Sequence, residues 1–129
     1  MRKFAFQRTA NAELFLATLL RYRSQGKFLL HAFVVMPYHV HVLITPAIDV
    51  STARAVQFVK GGYSHAVREQ SPGEVWHSGY FEHRIRDLED FDAQKRYIAN
   101  NPTRKQYDNY PHVHTQHPNA IDPAPAGFL

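Results

Sequence analysis

The sequence predicts an α+β fold, with helices packed mainly on one face of an antiparallel sheet. Two local observations and one global one carry that expectation. Apolar residues near the N-terminus recur at helical spacing, and two short β-rich runs stand on either side of Pro37-Tyr38. Along the whole chain the segments then read helix, hairpin, helix, strand, helix, a succession that fits a layered α+β sandwich.

The first helix is expected over 11–27, where Leu14, Phe15, Leu19, Leu20 and Tyr22 share one face. Asn11 is a plausible N-cap and Gly26 a stop. "FLLHAFVVM" (28–36) is too short and too β-branched for a comfortable helix, so it reads as a strand. "HVHVLIT" (39–45) alternates strictly and reads as its hairpin partner. Ser51 is expected to cap a second helix, with Ala55, Phe58, Val59 and Tyr63 near one face. Its Gly61-Gly62 pair is a weak point that can end or bend it. "SPGE" (71–74) is a turn, and "VWHSGYFEHRIR" (75–86) reads as a further strand with a glycine irregularity. A third helix is expected from Asp87 to Asn101, acidic in its first turns and basic later, as the helix dipole favours. Pro102 is expected to end it. Beyond Tyr107, four of the eight prolines and little periodicity predict a loosely docked or disordered tail. The organisation is therefore a domain over 1–107 and a Pro/His-rich tail over 108–129.

The totals bound the chemistry. A chain of 129 residues with 44% hydrophobic content can bury one ordinary core. It has no cysteine, which leaves imidazole nitrogen and carboxylate or amide oxygen as metal ligands. No apolar run approaches a membrane span, and "MRKFAFQRTANAE" lacks the core of a signal peptide, so a cytoplasmic location is the expectation. The net charge of +4 is compatible with nucleic acid without requiring it.

His-Val-His occurs twice, at 39–41 and at 112–114. In the strand, His39 and His41 project to the same side, with Cα atoms roughly 6.5–7 Å apart. Two imidazoles so placed can converge on one ion, or they can simply hydrogen-bond on a half-exposed face. Val40, Val42 and Ile44 point the other way, toward helices. The second copy lies among prolines, which suit a strand poorly. There His112, His114 and His117 offer at most a flexible trap for a transition metal.

"RYIANNPTR" sets Tyr97 and Asn101 four residues apart on one helical face. A tyrosine hydroxyl beside a Lewis-acidic ion is a candidate nucleophile for a phosphodiester, and Asn101 offers an oxygen donor to the same ion. Each also has an ordinary reading: Tyr97 as a core aromatic, Asn101 as a C-terminal cap.

Taken in order, "VVMPYHVHVLITP", "FVKGGYSHAVRE", "VWHSGYFEHRIRD" and "YIANNP" resemble the single-tyrosine HUH transposases, in particular the REP-associated tyrosine transposases of the IS200-like group. The resemblance runs from about Asn11 to Lys105. It implies a ferredoxin-like antiparallel sheet and a DNA nickase and strand transferase acting on single-stranded DNA. It implies a divalent ion, Mg or Mn, held by His39 and His41, with Asn101 as a further ligand. Tyr97 matches the tyrosine that attacks the scissile phosphate and becomes joined to the 5′ end. Hairpin (palindromic) DNA is the implied partner, and a homodimer the implied assembly, with a monomer as the other option. Lys60, Arg84, Arg86, Arg96 and Arg104 are candidates for phosphate contacts, and Trp76, Tyr80 and Phe81 for stacking on unpaired bases.

Two features depart from the family pattern. Only "MRKFAFQRTA" precedes the first helix, so the family's first strand is expected to be short, altered or missing. Tyr38 stands where an Asp or Asn commonly precedes the first histidine. The rival expectations are a catalytically silent DNA-binding remnant or repressor, and a small metallohydrolase that uses His39 and His41 to activate water.

Overall fold

The computed structural model describes residues 9–37, 39–70, 85, 87–105, 107 and 109–125. Its elements are α1 (Thr9–Ser24), β1 (Phe28–Val35), β2 (Val40–Pro46), α2 (Thr52–Gln70) and α3 (Leu88–Arg104), followed by two short 3-10 turns, His114–Gln116 and Pro118–Ala120. The expected strand over 75–86 and the turn before it lie outside the described residues, apart from Ile85. So does the N-terminal stretch where the family's first strand would fall. No helix among the described residues is long and apolar enough to cross a membrane.

The α+β architecture follows from how the hairpin divides its side chains. β1 and β2 pair antiparallel, with Val34 opposite His41 and Val35 opposite Val40. A bulge at His31 shifts the register between Leu30 and Ala32. Leu30, Phe33 and Val35 therefore face one layer, together with Val40, Val42 and Ile44. That layer holds α1 and α2, joined through Phe15, Leu19, Ala55, Val59 and Tyr63. Ala32, Val34, Met36 and Leu43 face the opposite layer, which α3 closes with Phe91 and Ile98. Among the described residues α1 and α2 thus share one face, and α3 packs, with Val113 and Tyr110, on the face that carries the histidines.

Several helix ends are set by local chemistry. α1 stops in a Schellman arrangement: Gly26 adopts φ 77°, its N–H donates to Arg23 O and the Lys27 N–H donates to Tyr22 O. Asn11 is not its N-cap; the helix already runs from Thr9, and Asn11 is buried inside it. Ser51 does cap α2, its hydroxyl accepting from the Arg54 N–H at 3.0 Å. α2 does not end or break at Gly61-Gly62 but continues to Gln70. Gly62 is instead a notch against α1, since a Cβ there would lie 2.9 Å from the Tyr22 ring. Asp87 caps α3 by accepting from the Asp90 N–H at 2.8 Å.

Pro102 does not end α3, which continues to Arg104. Proline lacks the N–H that would reach the Ile98 carbonyl, so only one helical bond is forfeited this close to the end. Burial of Ile98, Asn101 and Pro102 together holds the last turn in place.

The segment after Tyr107 is not loose where it is described. Val113 forms an antiparallel bridge with Val34, and the Val35 N–H donates to His112 O at 2.8 Å. Further on, Asp122 accepts from the Leu30 N–H and pairs with Arg23 at 2.9 Å. The high proline content had predicted weak docking. What overrides it is a row of β1 backbone groups on the edge away from β2, which need partners once buried.

Candidate active site

β2 begins just after the turn at Pro37, and the hairpin closes with the Met36 N–H donating to His39 O at 2.9 Å. Strand alternation then places His39, His41 and Leu43 on the α3 side. The two imidazoles lie edge to face with centroids 4.8 Å apart. α3 crosses this face and brings up three further side chains. The Tyr97 ring stands at 88° to His41 with centroids 5.6 Å apart. Asn101, one turn later, is 1% exposed. Arg104 reaches back so that its guanidinium carbon lies 4.4 Å from the centre of the Tyr97 ring.

Of the two readings of Tyr97, the core aromatic is not the one adopted: the ring is 43% exposed, whereas its neighbour Ile98 is buried. Asn101 is not a terminal cap either, since Lys105 occupies that position. The Asn101 side chain lies against His39 and favours its protonated form, yet among the described residues its Oδ1 has no well-formed hydrogen bond. A buried carbonyl oxygen without a partner is costly and calls for an explanation.

Charge and burial act together on the imidazoles. Burial holds both His39 and His41 below the usual histidine value. His39, Arg104 and Lys105 push His41 down further. Lys105, which the sequence does not single out, also lowers His39, and its position four residues after Asn101 is the only sequence signal for it. Neutral imidazoles keep a lone pair available at neutral pH. Among the described residues no three His, Cys, Asp or Glu side chains gather as a metal cluster. Among the described residues two imidazoles and an amide oxygen are the donors this face offers, and the Asn101 Oδ1 fits that set.

The remaining candidates separate. Arg96 is exposed on α3, the helix that carries Tyr97. Lys60 lies on α2, in the layer behind the hairpin. Trp76, Tyr80, Phe81, Arg84 and Arg86 fall outside the described residues. The second His-Val-His is occupied structurally: His112 and His114 are buried against β1, and the His117 Nε2–H donates to Pro111 O at 2.9 Å. A cavity of about 380 Å³ between Lys95 of α3 and residues 114–123 is lined by none of His39, His41, Tyr97 and Asn101.

Among curated proteins, none matches the chain. A solved structure described as "Structure of the REP associates tyrosine transposase bound to a REP hairpin" superposes with a TM-score of 0.71 at 20% identity. The superposition covers 99% of this chain and 74% of that one, and establishes the likeness of fold. The profile of the family described as "Transposase IS200 like" matches residues 1–101, which take in the hairpin, all three helices up to Asn101 and the Tyr97 site. The chain belongs to the IS200-like transposase family.

Proposed function

We propose that this protein cleaves and rejoins single-stranded DNA through a 5′-phosphotyrosine intermediate, with residues 1–107 as the catalytic unit. The observation that carries the reading is the meeting of Tyr97 with His41 on one side of α3, one turn from the unpaired, buried oxygen of Asn101. His39, His41 and Asn101 would hold a divalent ion, Mn or Mg. When bound, such an ion supplies positive charge to the non-bridging oxygens of a phosphodiester.

The chain's own groups account for the rest. The Tyr97 oxygen attacks phosphorus and forms the Tyr–O–P bond while the P–O3′ bond breaks in line. The phenol proton leaves, and the departing 3′ oxygen takes up a proton as a hydroxyl. The phosphotyrosine retains the phosphoester linkage, so a 3′ hydroxyl can later reverse the step and exchange strands. Arg104 lies over one face of the exposed Tyr97 ring and would bring a fixed positive charge to a phosphate attacked by that tyrosine. Arg96 sits on the same helix for a backbone phosphate. DNA carrying a hairpin is the partner we assign, by analogy with the REP hairpin bound in the similar structure.

The test is a covalent-adduct assay. Protein and an end-labelled hairpin oligonucleotide with a single-stranded flank are mixed with Mn²⁺ and resolved under denaturing conditions. A labelled protein band is expected, absent without the ion and absent in Tyr97→Phe. A gel shift with no adduct under any divalent ion would establish the silent binding protein instead. Turnover without an adduct, and indifferent to Tyr97→Phe, would establish a hydrolase.

A further inference from the structure

The second His-Val-His lies directly across the sheet from the first. Val34 is the hinge of this relationship: it is the register partner of His41 on one side and bridges Val113 on the other. Val113, Val34 and His41 therefore form one row across three adjacent segments. In an antiparallel ladder, alternate residues turn their N–H and C=O groups to opposite sides. Val34 turns toward His41, so Phe33 and Val35 turn toward the C-terminal segment, and each finds a partner there. The Val35 N–H donates to His112 O at 2.8 Å, and the Tyr110 hydroxyl donates to Val35 O. His114 Nδ1 lies 3.2 Å from both the N–H and the C=O of Phe33 and serves one or the other according to its tautomer. These contacts fall at the His41 end of β1. A second set at the far end, where Asp122 pairs with Leu30 and Arg23, sits opposite Ile44.

We propose that residues 110–114 are a clasp that fixes the strand position of the His39–His41 pair, with Tyr110 and His114 as positioning residues. Without it, Phe33 and Val35 have open backbone groups, and β1 can ripple or slip beside the one strand that carries both imidazoles. An imidazole pair serves one ion only if the strand holds both rings to a fraction of an ångström. The duplicated tripeptide thus has two uses: side chains in the first copy, backbone pairing in the second. The clasp rests on the proposed function only in naming what the row positions.

The experiment compares Tyr110→Phe and His114→Ala with Asp122→Asn, which loosens the same segment at its far end. Amide hydrogen exchange is read first on metal-free protein, so this arm does not depend on the catalytic reading. In the two clasp variants the His41 and Leu43 amides should exchange at least tenfold faster, with the α1 and α2 amides unchanged. Asp122→Asn should leave His41 protected. Mn²⁺ titration by calorimetry should then show affinity reduced severalfold in Tyr110→Phe and His114→Ala only. Unchanged exchange at His41, or an equal rise in all three variants, overturns the clasp. If wild-type protein neither binds Mn²⁺ nor forms an adduct while the variants still show the local exchange pattern, the catalytic reading is overturned and the clasp stands.

Discussion

The His41 imidazole meets the Tyr97 ring nearly at right angles, with centroids 5.6 Å apart, although 55 residues of chain lie between them. The contact is worth on the order of 0.5–1.5 kcal/mol beyond burial, so it orients the ring rather than holding the fold. His41→Ala should leave the protein folded, with Tm within a few degrees. The same variant should weaken Mn²⁺ binding more than tenfold and reduce adduct formation by two orders of magnitude or more. Calorimetry and the denaturing gel measure the two losses separately. An adduct at wild-type rate would remove His41 from the site.

Asn101 gives a test that needs no DNA. Its buried Oδ1 makes no well-formed hydrogen bond among the described residues, although the side chain lies against His39, so part of the roughly 1–3 kcal/mol cost of an unmet acceptor remains. An ion that accepts this oxygen removes that cost and stabilises the folded state by mass action. Mn²⁺ should therefore raise Tm, and more strongly than Mg²⁺, because imidazole nitrogen suits a transition metal better than magnesium. In Asn101→Ala the Mn²⁺ effect should shrink to a small fraction. Thermal unfolding with and without each ion decides it; an undiminished shift in Asn101→Ala would place the ion elsewhere.

Much of this site was legible in the sequence because two periodicities are rigid. Strand alternation puts His39 and His41 on one side, and a four-residue helical step puts Tyr97 and Asn101 on another. Their meeting was legible only through the resemblance, since neither period says how α3 crosses the hairpin. The C-terminal segment docks more firmly than its composition predicts, for a physical reason. Proline content reports the lack of regular structure within a segment, whereas docking here comes from β1 backbone groups 75 to 92 residues earlier in the chain. Pro102 misled in the same manner: its cost is one bond, and burial of Ile98 and Asn101 outweighs it.

The buried histidines predict how stability varies with pH. Burial holds His31, His112 and His114 below the usual 6.5, and His39 and His41 likewise. As pH falls past about 6.5 the unfolded chain takes up these protons before the folded one does, so folding weakens. The stability they contribute is full above 6.5 and is lost as pH falls through their lowered folded values. Asp122, whose pairing with Arg23 holds it below 3.8, keeps its share until far more acid conditions. Tm should be flat from pH 8 to 7 and decline steadily from 6.5 to 5. A flat profile through pH 5 would mean that these imidazoles take up protons in the folded protein as readily as in the unfolded chain.

The adjacent glycines of α2 should respond oppositely to the same substitution. At Gly61 an added Cβ meets nothing within 4 Å, so Gly61→Ala gains helix propensity, up to about 1 kcal/mol. At Gly62 the Cβ would lie 2.9 Å from Tyr22 Cε2 and 3.0 Å from Thr18 Cγ2. The Tyr22 ring cannot simply swing aside, because it stacks on Phe58 with centroids 5.4 Å apart. Separating α1 from α2 would loosen the layer that backs Val40, Val42 and Ile44, the far side of the strand bearing the histidines. Overpacking of this kind costs about 1–3 kcal/mol, which exceeds the propensity gain, so Gly62→Ala should be net destabilising. Urea denaturation of the two variants should move the midpoint in opposite directions. Equal stabilisation by both would show that α1 and α2 sit further apart at this crossing than the Gly62 notch requires.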